Sequence, residues 1–131
     1  MVTISATYEG DLCCTAVHGP SQANLQTDAP KDNEGLGRYF SPTDLVATAL
    51  ATCILTTLGI VARRHSINLA GCTATVEKHM NASPRRIGRL PVKLIISGSS
   101  TDDQKKLLAN TANTCPVHKS LHPDIDAPIT I

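Results

Sequence analysis

Residues 41–64 read SPTDLVATALATCILTTLGIVARR, and the eighteen from 45 to 62 carry no charge. Eighteen uncharged residues reach the lower bound for a membrane span. Four threonines, four alanines and a glycine dilute this run, however, leaving less Leu, Ile and Val than a lipid-facing helix carries. Upstream lies a polar, turn-rich stretch and downstream come strand-like runs, in a short chain with no other candidate span. The reading is a helix covered by protein on several sides, with no membrane as partner. Ser41 caps it, Pro42 takes its first position and Asp44 follows three residues after the cap, a start built on satisfying orphan N–H groups. The helix is expected to end near Arg64 or His65, where two arginines suit its negative end. At about 1.5 Å per residue it is roughly 33 Å long, enough to cross a small domain.

Around this helix the pattern changes to period two. Residues 1–8 alternate, with Val2, Ile4, Ala6 and Tyr8 on one face, and predict a strand. Residues 12–18 predict a second after the turn EGD, and 23–27 a short third after HGP. The polar, glycine-bearing DAPKDNEGLGRYF of residues 28–40 predicts a loop. Beyond the helix, strands are expected near 72–80 and 87–97, joined through NASPRR. Thr101 opens a second helix with Gln104 three residues on and acids in the first turn. CPVHKSL predicts a short helical piece and APITI a closing strand. This order makes one α+β domain over residues 1–131. A central helix apolar on nearly all faces needs more cover than one small sheet supplies, which predicts a homodimer in which two such helices bury each other.

Composition narrows the function classes. A chain of 131 residues has mass enough for a sizeable core. A net charge of +1 gives no polybasic footprint, and three aromatics give no base-stacking platform, so no nucleic-acid partner is expected. The opening MVTISATYEGD has no basic region followed by an apolar run, so no secretory signal is expected. Five cysteines in such a chain suggest free thiols or a redox pair, and a cytoplasmic location.

The cysteines differ in context. Cys13 and Cys14 are neighbours on a strand and point to opposite faces, and Cys72 starts a strand; all three read as small hydrophobes. Cys53 sits mid-helix among Ala49, Leu50, Thr56 and Thr57, where packing alone would explain it. Cys115 lies where a helix N-terminus is expected, and the positive end of the helix dipole favours a thiolate there. On local sequence it is the better candidate for a reactive thiol. Cys115, His118 and His122 also fall at i, i+3 and i+7, a conceivable zinc set with Cys53 as a fourth ligand. Pro123 weighs against that, because the residue before a proline leaves helical geometry.

SPTDLVATALATC at 41–53 and CPVHKSL at 115–121 resemble the paired motifs of the OsmC/Ohr family, the osmotically inducible and organic hydroperoxide resistance proteins. In that family a first cysteine lies about three turns into a long central helix, and a second opens a later helix. The resemblance covers essentially the whole chain. It implies an OsmC-like fold, with antiparallel sheets around a long buried helix in an intertwined homodimer. It further implies a thiol peroxidase working without metal or other cofactor. Cys53 would attack the O–O bond of an organic hydroperoxide, leaving a sulfenic acid, and Cys115 would condense with it to a disulfide. A small dithiol or a lipoylated protein would restore both thiols. A cation is needed to hold a buried thiolate; by resemblance it is Arg38, oriented by Asp44 or Glu34, since Thr43 stands where better-known branches carry glutamate. The contrasting reading is a non-catalytic binding domain on the same fold, holding metal through Cys115, His118 and His122. Fold resemblance does not choose between them, because function lives in the site.

Overall fold

A computed structural model describes residues 1–98 and 100–131. The chain is α+β and divides into two compact units, Met1–Val46 and Ala47–Ile131.

The first unit is a three-stranded antiparallel sheet and a loop. Strands β1 (Ile4–Gly10), β2 (Cys13–His18) and β3 (Asn24–Asp28) pair in chain order. The turn expected at EGD is there, with Asp11 and Leu12 both at positive φ. A register shift between Tyr8 and Gly10 bends β1 just ahead of it. Asp28, expected to begin the loop, is instead the last residue of β3, directly across from Cys13. The following loop contains a single 3-10 turn, Lys31–Asn33. Its backbone folds back on Ala29, to whose carbonyl Gly37 N–H donates at 3.2 Å. A side chain at Gly35 would collide with that same carbonyl, so this approach requires glycine.

Helix α1 (Pro42–Arg64) has the expected bounds. Its start is a reciprocal cap: Asp44 N–H donates to Ser41 Oγ at 3.1 Å, and Ser41 N–H to Asp44 Oδ2 at 2.8 Å. One stripe of α1 is buried within the chain, formed by Leu50, Ile54, Leu58 and Ala62 at successive i+4 steps. Ile60 between them is 50% exposed.

The second unit carries the apolar core. All the buried hydrophobic side chains among the described residues lie in it: the α1 stripe with Ile87, Leu90, Val92, Leu94, Leu108, Ala112 and Cys115. Each of the two long strands expected here is interrupted. They form β4 (Thr73–Val76), β5 (His79–Ala82), β6 (Arg85–Arg89) and β7 (Val92–Ile95). The breaks face each other: β4 pairs with β7 and β5 with β6, while Glu77 N–H donates to Pro91 O between the two ladders. Pro91 has no N–H to return, so neither ladder continues through it. Helix α2 (Asp102–Ala112) starts with the full capping box of Thr101 and Gln104, as its sequence predicts. Helix α3 (Pro116–Ser120) is capped by Cys115. Strand β8 (Ile129–Thr130) closes the chain beside β7 in a parallel rather than antiparallel pairing.

Candidate active site

Helix α1 and the Cys115 turn bring two thiols of the second unit together. Cys53 is half-buried three turns into α1 and Cys115 is fully buried; neither is bridged. Burial pushes the Cys53 thiol up, but three donors outweigh it. They are the Cys115 S–H, the backbone N–H of Val117 and the Thr57 hydroxyl, and together they hold Cys53 below the ordinary thiol value. Cys115 shifts the other way. Burial raises it first, and its hydrogen bond to Cys53 and the charge there raise it further, against opposition from the N–H groups of His118 and Val117. The His118 N–H lies 3.5 Å from Cys115 Sγ. The two thiols are therefore pushed in opposite directions, Cys53 downward and Cys115 upward.

This reverses the local reading that made Cys115 the more reactive thiol. A helix N-terminus does face Cys115, but burial and the neighbouring Cys53 outweigh two N–H groups. The groups that lower Cys53 are all neutral hydrogen-bond donors of the second unit. Neither Thr57 nor Val117 was assigned a role from sequence. Thr57 had a readable signal, since i+4 from Cys53 places it on the same helix face. The Val117 N–H had none, because it depends on tertiary folding.

Arg38 belongs to a separate cluster in the first unit. Its Nε–H donates to Asp28 Oδ2 at 2.8 Å and its backbone N–H to the same oxygen at 3.1 Å. Nη2–H reaches Cys13 Sγ at 2.9 Å and Asp11 O at 3.3 Å. The Asp28 side chain is fully buried while that of Arg38 is 42% exposed. Arg38 holds the Asp28 carboxyl at about 2, chiefly through its side-chain hydrogen bond and then its backbone N–H. The carboxylate that orients Arg38 is thus Asp28, which corrects the expectation of Asp44 or Glu34. Asp44 is engaged in capping α1, and Glu34 is an exposed loop residue at positive φ.

The sequence is matched over residues 34–129 by the profile of the OsmC-like protein family. The chain belongs to this family. Among solved structures, it is 48% identical to a Psychrobacter arcticus 273-4 protein provisionally described as an osmotic stress induced and detoxification response protein. That alignment covers 100% of this chain and 96% of the other, with a TM-score of 0.94. The fold is also that of an organic hydroperoxide resistance protein OsmC from Legionella pneumophila, at 19% identity, coverage of 98% and 94%, and a TM-score of 0.78. OhrB, an organic hydroperoxide resistance protein of Bacillus subtilis, shares it at 18% identity, coverage of 98% and 96%, and a TM-score of 0.66. No curated protein matches the sequence significantly.

The metal set conceivable for this OsmC-like chain does not assemble. His118 Nε2 lies 3.0 Å from Ala127 O, while exposed His122 lies beyond the end of α3, its Nδ1 accepting the Asp124 N–H at 3.1 Å. Among the described residues no group of three His, Cys, Asp or Glu side chains is placed to hold a metal ion. The helix stops at Ser120, with Leu121 already extended, so His122 does not share its face with Cys115 and His118.

The depressed Asp28 carboxyl gives one expected pH effect. A lowered folded value stabilises the protein above the ordinary carboxylate range, and that contribution is lost as pH falls from about 4 through about 2. Thermal midpoints of the wild type are expected to fall more steeply over this window than those of Asp28→Asn, which lacks the titrating group. Parallel curves would show that Asp28 is not held low.

Proposed function

We propose that this protein is a thiol-dependent peroxidase that reduces organic hydroperoxides to alcohols. The observation that carries this reading is the paired thiols: Cys115, Val117 N–H and Thr57 hydrogen-bond Cys53 and draw its thiol below the ordinary value, while Cys115 beside it is pushed up. Cys53 S⁻ attacks the terminal peroxide oxygen, the O–O bond breaks, and the leaving alkoxide takes a proton and departs as the alcohol. Cys53 is then a sulfenic acid. Its negative charge is gone, and with it one of the influences that kept Cys115 protonated. Cys115 sulfur attacks the sulfenic sulfur, water leaves, and a Cys53–Cys115 disulfide remains. The order of steps is thereby built into the pair, since the resolving thiol is activated only after the first has reacted.

Two fold neighbours are organic hydroperoxide resistance proteins, which agrees with this substrate class. Family resemblance assigns the cation of the cycle to Arg38, and Asp28 is the group that orients its guanidinium. A dithiol or a lipoylated protein returns the disulfide to two thiols by exchange. The working form is a homodimer, a state typical of this family. Supporting it, α1 leaves much of its apolar surface uncovered, and no apolar side chain described in the first unit is buried. Five unbridged cysteines support a reducing, cytoplasmic setting.

The direct test is a thiol count on the wild type. One equivalent of tert-butyl hydroperoxide is expected to consume two of the five free thiols, leaving three, with the new disulfide mapped to Cys53 and Cys115. Five thiols surviving the treatment would sink the proposal.

A further inference from the structure

Helix α3 is five residues long, and a helix this short does not hold its own place. Ser120 Oγ–H donates to Pro116 O at 2.9 Å, which closes the turn without fastening it to the rest of the second unit. The half-buried ring of His118 reaches out of α3 instead, placing Nε2 at 3.0 Å from Ala127 O. A carbonyl oxygen only accepts, so Nε2 carries the hydrogen and donates. Ala127 is a firm anchor. Leu90 N–H donates to Asp126 O and Val92 N–H to Pro128 O, both at 2.8 Å, and Ile129 then pairs with Val92. Pro128 also biases Ala127 toward extended backbone. Carbonyls alternate in direction along an extended segment, so with those of Asp126 and Pro128 turned to the sheet, that of Ala127 points away from it. The same histidine meets the thiol through its backbone, whose N–H lies 3.5 Å from Cys115 Sγ, the cap of α3.

We propose that His118 is a positioning residue for the resolving step: its ring ties α3 to Ala127, and this tie keeps its own backbone N–H on Cys115 Sγ. It rests on the peroxidase reading for the use of Cys115, while the tie itself stands apart from that reading. In resolution Cys115 sulfur forms the S–S bond with Cys53, and hydroxide leaves with the Cys115 proton as water. An N–H held on the attacking sulfur favours its thiolate. Burial, then the hydrogen bond to Cys53, raise Cys115, and the His118 N–H is the strongest influence in the opposite direction. A turn cut loose from Ala127 lets that N–H drift off the sulfur, so the ring acts on the chemistry without touching a reacting atom.

The test compares the wild type with His118→Phe, which keeps a planar ring without a donor, and His118→Gln, which keeps an N–H donor. Ring nitrogen NMR of the wild type above neutral pH is expected to place the proton on Nε2; a proton on Nδ1 overturns the tie. Hydrogen exchange of the residue 118 amide, which needs no peroxide, is expected to be about tenfold faster in His118→Phe and near wild type in His118→Gln. The third readout is a single turnover with one equivalent of tert-butyl hydroperoxide, quenched and followed by mass spectrometry. Conversion of the Cys53 sulfenic acid to the disulfide is expected to slow about tenfold in His118→Phe, the size of one hydrogen bond, and to recover in His118→Gln. Its pH midpoint is expected to move upward in His118→Phe. Unchanged amide exchange in His118→Phe overturns the tie. Faster exchange with an unchanged resolution rate overturns the positioning role, as does a slowed resolution whose pH midpoint stays in place. A wild type inert to hydroperoxide overturns the peroxidase reading and the positioning role with it, while the ring spectrum and the amide exchange still decide the tie.

Discussion

Replacing Cys53 with serine is expected to reduce hydroperoxide consumption to the uncatalysed level, and replacing Cys115 with serine to stop it after one turnover. A serine hydroxyl does not ionise at neutral pH, so Cys53→Ser removes the nucleophile outright. Cys115→Ser leaves the nucleophile and removes the group that resolves it. The product is then a Cys53 sulfenic acid, detected as one added oxygen by mass spectrometry and trapped by a 1,3-diketone. A finer distinction follows from the geometry. The Cys115 S–H is the leading donor among those that hold Cys53 low. Serine can still donate to that sulfur and alanine cannot. Thiolate absorbance of Cys53 is therefore expected to titrate at higher pH in Cys115→Ala than in Cys115→Ser, with the first-turnover rate at acidic pH following it. Cys53→Ser with undiminished activity would remove Cys53 from the mechanism altogether. Equal titrations in the two Cys115 variants would mean that the other two donors, Thr57 and the Val117 N–H, carry the charge alone.

The architecture is legible because its strongest signals are local. The Ser41–Pro42–Asp44 start and the Thr101–Gln104 box each satisfy orphan N–H groups within four residues, so the chain declares both helices before any tertiary contact forms. Strand interruption is less legible. Pro91 marks the break between β6 and β7, but the matching break at Glu77 and Lys78 arises only because that segment faces it in the folded sheets. The parallel pairing of β8 with β7 is likewise a tertiary outcome, which a two-residue strand does not encode.

At the candidate site, local sequence and the folded chain rank the two sulfurs differently. Local dipole reasoning favours Cys115, whereas the folded second unit buries it and turns it into a donor for Cys53. Burial is the deciding quantity, and a motif does not carry it. The same holds for Arg38. Sequence proximity offers Glu34 and Asp44, but strand register delivers Asp28 and Cys13, ten and twenty-five positions away. A carboxylate sited opposite a cysteine on the neighbouring strand becomes visible only when the register of β2 on β3 is known.

The second large effect concerns the two sides of α1. Leu58 is fully buried and Ile60, two residues on, is half exposed. Side chains two apart on a helix face different directions. Leu58→Ala deletes buried methyl groups and leaves a cavity, for an expected loss of about 2–5 kcal/mol. Against a total stability of about 5–15 kcal/mol for a domain, that is a large share. Ile60→Ala discriminates between two pictures of the protein. If α1 turns that face to water, the substitution should move stability by no more than about 0.5 kcal/mol. If a second copy covers the face, as the homodimer reading requires, the loss should approach that of Leu58→Ala. It should also depend on protein concentration, because dissociation is then coupled to unfolding. Urea melts of both variants at two protein concentrations separate these cases. An Ile60→Ala melt that matches the wild type at both concentrations would remove the partner helix, and the apolar surface of α1 would need a different explanation.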